Sequence, residues 1–135
     1  MKSLHLVSRF SIYLLSAVLF GFGIFHFLYP RDLLIYVPQS LPGGILWVYF
    51  VGAAFMLTAL SFLTNNLVKL SGYLLALLLI VFILSIHMPN YINAGDKDMK
   101  QLALINMLKD TAIACFALHI AAGAHHQKLH LEESD

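Results

Sequence analysis

Two adjacent ionisable residues, Lys109 and Asp110, interrupt a stretch that is otherwise largely apolar from Leu102 to Ala124. An ionisable side chain at membrane depth costs about 2.5–3.5 kcal/mol on insertion scales, so two in succession call for a partner or a ligand. Neighbouring helical positions point about 100° apart, which predicts that the two do not pair with each other and that each finds its partner elsewhere. Asn106 stands three residues before Lys109 and four before Asp110, on a face it shares with both. His26 and His87 each stand near the end of an apolar run. A neutral imidazole accepts a hydrogen bond from lysine or donates one to a carboxylate, and it titrates near pH 6.5. His26, His87, Asn106, Lys109 and Asp110 are therefore the candidate ligand-binding residues. The sequence assigns no catalytic residue among them. The alternative for Lys109 is a purely structural one, with its long stem snorkelling to the interface.

The elements that must hold these residues follow from composition. Of the 135 residues, 60% are hydrophobic and 11% charged, against roughly 45–50% and about 25% in an ordinary soluble domain. Mean hydropathy is +0.81. A soluble fold of this size has too little interior to hide so much apolar surface, which excludes a soluble enzyme. Disorder, which needs low hydrophobicity and high net charge, is excluded too. The formal net charge of +1 gives no basic field for nucleic acid. The fold class expected is all-α: a single integral membrane domain, a four-helix bundle spanning residues 1–135.

A crossing helix needs about 20 mostly apolar residues. Residues 10–29, 45–64 and 70–88 provide three such runs. The fourth, 111–124, is too short alone and recruits residues 102–110, which puts Lys109 and Asp110 inside the membrane zone. The first run is longer than the apolar core of a usual signal peptide, about 7–15 residues, and reads as a retained helix. Residues 125–135 form a polar tail expected to fray.

Lys2, Arg9, Lys69 and Lys128 against Arg31, Lys97 and Lys100 favour both termini inside. Tyr29, Tyr36, Trp47, Tyr49 and Tyr91 would then lie at the outer interface. His26, His87 and the Asn106–Asp110 group all fall at outer-leaflet depth in that topology. Residues 65–69 make a tight turn and predict antiparallel neighbours for the second and third helices. Residues 30–44 suit a short interfacial helix over Arg31–Val37, broken by Pro38, Pro42, Gly43 and Gly44.

Pairs of small residues at i, i+4, namely Ala17/Gly21, Ala54/Thr58, Gly72/Ala76 and Ala117/Ala121, predict close helix packing in lipid. His126 and His130 have metal-ligand spacing, but a solvated juxtamembrane tail explains them, and no metal site is expected. Two interfacial histidines without a second pair at matching depth make haem a poor fit. Cys115, the only cysteine, excludes disulfide and CxxC chemistry and is expected to be inert packing in mid-helix.

The strings Gly21-Phe-Gly-Ile-Phe-His26 with Pro30, Val37-Pro38, Leu41-Pro42, Trp47-Val-Tyr49 with Gly52, Ile86-His87-Met88 and Asn106-Met-Leu-Lys109-Asp110 together resemble the DoxX-like family of small four-helix membrane proteins. The resemblance runs from about residue 8 to residue 124. It implies a membrane four-helix bundle, with relatives linked to oxidoreductase systems that use sulfur compounds or quinone, to methylamine utilisation, and to receptor assembly. One departure stands out. The family often carries glutamate three residues after the glycine of the second helix, where this chain has Phe55, leaving Lys109 without an acidic partner on that helix. Two functions follow as expectations. One is a redox-associated membrane subunit with a polar or quinone-like ligand in the outer leaflet of a bacterial cytoplasmic membrane. The other is a non-catalytic partner or assembly factor for another complex. Whether it is an enzyme is left open. Its partners would be the lipid bilayer and a membrane or soluble protein, or a second copy of the chain. The cofactor is left open, with quinone the candidate this reading suggests.

Overall fold

A computed structural model describes residues 2–132, and within them the side chains of residues 6–124. Every regular element among the described residues is helical. In chain order they are α1 (Lys2–Leu28), α2 (Pro30–Leu33), α3 (Ile45–Thr64), α4 (Val68–Phe82), α5 (Met88–Asn93) and α6 (Lys97–Glu132). A 3₁₀ turn, Leu34–Tyr36, follows α2, and a wide helical turn, Ile83–His87, joins α4 to α5. Four stretches are long and apolar enough to cross a membrane: Leu6–Leu28, Ile45–Thr64, Val68–Asn93 and Lys97–Ala124. These coincide with the four expected spans and extend three of them. Asp96 explains the earlier start of the last one: its Oδ1 accepts from Met99 N–H at 2.8 Å and caps a helix that begins at Lys97, five residues before Leu102. The helix also continues through residues 125–132, where a fraying tail was expected.

The chain divides into two units, Met1–Ser71 and Gly72–Asp135. In the first, α1 packs along α3 over a glycine crossing. A Cβ on Gly52 would lie 2.7 Å from His26 Cβ and 3.2 Å from Gly23 O, and one on Gly23 would lie 2.9 Å from Gly52 O and run into Met56 Cγ. Only hydrogen fits at either position. Of the expected small-residue pairs, Ala17/Gly21 does not serve this contact, since nothing lies within 4 Å of a Cβ at Gly21. The close approach instead uses Gly23, one helical face round. Phe55 fills the space beside it, 5.9 Å from the Phe22 ring and 5.5 Å from the His26 ring, and is buried. Ser16 and Thr58, both buried, donate to Ile12 O and Ala54 O of their own helices at 2.8 and 2.9 Å. In lipid every polar hydrogen needs such a partner.

The expected short helix over Arg31–Val37 exists as α2 and the 3₁₀ turn. Gly43 and Gly44 then turn the chain at φ +102° and +45°, a region that only glycine enters without strain. Trp47 Nε1 donates to Pro42 O at 2.8 Å and clamps this corner to the start of α3. At the other end of α3, Asn65 caps the helix in the left-handed conformation. The Ser61 and Ser71 hydroxyls meet at 2.7 Å across the turn.

In the second unit, α4 and α6 also meet at a glycine. A Cβ on Gly72 would lie 2.8 Å from Ala117 O and 2.9 Å from Ala121 Cβ. The buried stripe of α6, Ala103, Asp110, Ala114, Ala117 and Ala121, recurs at the helical period. Small side chains there admit a close neighbour, and the one polar member is Asp110. Cys115 is exposed, contrary to the expectation that it packs inside. It follows Ala114 by one residue, about 100° round the helix, and so leaves the buried stripe.

Candidate functional site

Asp110 is the centre of the polar cluster. Its side chain is 5% exposed, and its two oxygens face different partners. His87 Nε2 lies 3.1 Å from Oδ2, and Lys109 Nζ lies 3.4 Å from Oδ1. Lys109 Nζ also donates to Asn106 Oδ1 at 3.3 Å. A carboxylate only accepts, so with Asp110 ionised the His87 proton is on Nε2 and points at it. Of the five residues expected to form the site, His87, Asn106, Lys109 and Asp110 are thus brought together within the second unit.

The pairing of Lys109 with Asp110 corrects the expectation that adjacent positions cannot meet. Their Cβ atoms do diverge, but the four-carbon lysine stem spans the angle. Asn106, one turn earlier, holds the ammonium on the side where Asp110 emerges. The lysine side chain remains 40% exposed. Lys109 thus finds an acid in its own neighbour on the same helix, Asp110.

His87 reaches Asp110 through the wide turn that carries it. Met88 N–H donates to Ile83 O, five residues back instead of four. Span 70–88 was expected to stop at Pro89, yet the helical path runs through it to Asn93. The proline falls in the first turn of α5, directly after the wide turn. The sequence signal for this was Pro89 itself, two residues after a buried histidine.

His26 lies in the first unit. It is half-buried, its Nδ1 is 2.7 Å from Phe22 O, four residues back, and its ring meets Phe55 edge-on. The glycine crossing of Gly23 and Gly52 sets that position, and the sequence reading had missed Gly23. His119 is exposed, and the side chains of His126 and His130 lie outside the described residues. Among the described residues no three His, Cys, Asp or Glu side chains group as metal ligands.

The arrangement therefore offers a buried carboxylate, held by an imidazole, that orients an ammonium donor at the partly exposed edge of an apolar helix pair. It can bind a polar head group, hold a proton on His87 and balance a change of charge nearby. No curated protein matches the chain, and no solved structure does. The chain belongs to the family described as a domain of unknown function (DUF8561), whose model matches residues 15–121.

Proposed function

We propose that the chain is a DoxX-like, redox-associated subunit of a bacterial cytoplasmic membrane, and that it binds a quinone-like head group at the Asp110 cluster. The observation that carries this reading is the buried carboxylate with an imidazole on one oxygen and an ammonium on the other. A quinone carbonyl gains negative charge as it is reduced, and donors already aimed at that oxygen stabilise the change most. The exposed Lys109 ammonium is such a donor and Asp110 keeps it oriented, while His87, whose Nε2 proton points at Asp110, holds the carboxylate in place. The described residues include no cysteine pair or metal cluster to carry electrons, so the reading includes a partner protein that supplies them. Both termini lie inside, residues 30–44 lie along the outer interface, and the cluster faces the outer leaflet.

The test is to purify the full chain in mild detergent and extract bound isoprenoid quinone for mass spectrometry. Lys109→Met is expected to keep the thermal transition near wild type and to lose the quinone. Quinone retained at wild-type level by both Lys109→Met and His87→Ala would overturn the reading.

A second reading, an assembly partner, draws on the open face of α1, where Gly21 has nothing within 4 Å and Ala17 is exposed. Gly21→Leu would then weaken capture of a helical partner or a second copy while leaving quinone content unchanged.

Topology has its own measurement. Cys115→Ala should alter stability by no more than about 0.5 kcal/mol, as exposed substitutions do, and provides a cysteine-free background. Asn66→Cys in that background is expected to react with a charged maleimide only from the cytoplasmic side. Labelling from outside would reverse the orientation.

A further inference from the structure

The wide turn at Ile83–His87 sets the register of the site. On an uninterrupted α-helix each residue advances about 100°, so His87, eight residues past Leu79, would stand roughly 80° away from it round the axis. Ile86, seven residues past, would be nearly in line. Burial runs the other way: Leu79 and His87 are buried, and Ile86 is only half-buried. One extra residue in the turn absorbs one such step and returns His87 to the face that Leu79 occupies.

Pro89 gives the turn its cause. Proline lacks the N–H that would bond the carbonyl four residues back, and its ring collides with that carbonyl. The carbonyl belongs to Ser85, inside the wide turn. Letting Met88 N–H reach Ile83 O widens the helix just where the proline ring needs room.

We propose that Pro89 is a positioning residue: it holds the extra residue in Ile83–His87 and thereby keeps the imidazole of His87 turned onto Asp110. The proposal deepens the site reading above, but its test reads where the imidazole lies and needs no ligand. A protein that holds His87 as proposed and carries no quinone would refute only the functional reading.

The probe is diethyl pyrocarbonate, applied to the detergent-purified full chain, with modification of His87 read by peptide mass spectrometry. The buried wild-type ring should react slowly. Pro89→Ala lets the segment wind as an ordinary α-helix, swings His87 by about 100°, and should raise its modification several-fold. Deleting Leu84, a 58% exposed residue of the turn, in the Pro89→Ala background removes the extra residue. That variant should return His87 to the wild-type rate. Wild-type protection in folded Pro89→Ala would overturn the proposal. If Pro89→Ala does not fold, the deletion variant decides alone: a folded chain with His87 protected supports the proposal, and an exposed His87 or an unfolded chain overturns it.

Discussion

Asp110→Ala is expected to be the most damaging single substitution in the second unit, costing about 1–3 kcal/mol or more of stability. Removing the carboxylate leaves the buried imidazole without the acceptor of its Nε2 proton, and His87 is 10% exposed against 5% for Asp110. The ring cannot reach water, and a methyl cannot accept from it. Lys109 loses its acid as well, but at 40% exposure its ammonium can turn outward, so the cost falls mainly on His87. The double variant His87→Phe/Asp110→Leu should be milder than Asp110→Ala, because replacing both partners of a buried hydrogen bond by apolar groups of similar shape can be nearly neutral. Asp110→Asn should fall between, since it keeps the shape and one acceptor but holds Lys109 more weakly. Thermal unfolding of the three variants in one mild detergent measures the order. An Asp110→Ala transition no lower than that of the double variant would mean that the pair contributes nothing to holding α6 against the wide turn.

Gly52→Val is expected to be the corresponding blow to the first unit, with a cost of about 1–3 kcal/mol or more from overpacking. Its first added carbon alone would lie 2.7 Å from His26 Cβ and 3.2 Å from Gly23 O. The first is a backbone-anchored atom and the second is main chain, so neither can rotate aside. For the same reason His26→Ala, which keeps the Cβ, should not rescue Gly52→Val. Gly21→Ala is the control. With nothing within 4 Å of its Cβ, it should stabilise α1 by roughly 0.5–1 kcal/mol, the usual gain when glycine leaves a helix interior. The comparison is again a thermal transition in detergent. A Gly52→Val protein as stable as Gly21→Ala would show that α1 and α3 can separate at little cost.

The spans were legible because crossing a bilayer depends on apolarity summed over about 20 residues. No tertiary contact is needed to count the residues of Ile45–Thr64 or to notice Asp110 in an apolar run. The polar members of the site were legible for the same reason: in such a run each is costly and therefore visible. Their partners were not. A helical wheel treats residues as vectors from the axis, so Lys109 and Asp110 looked divergent, whereas the lysine stem is long enough to bring Nζ to within 3.4 Å of Oδ1. The wheel also assumes a constant advance per residue. One extra residue before Pro89 broke that assumption and turned His87, rather than Ile86, inward. Gly23 and Gly21 read alike as small residues on one helix, and Cys115 and Ala114 alike as mid-helix packing. Which of them met a neighbour depended on the face that each helix presents. The sequence by itself thus determined the helical, membrane-suited character of the chain and the residue types of its polar cluster, since both are sums over local composition. Only the tertiary structure decided that Asp110 joins His87 to Lys109 and that Gly23 meets Gly52, because those depend on helix rotation and side-chain reach, which differ by one residue's turn between a contact and none.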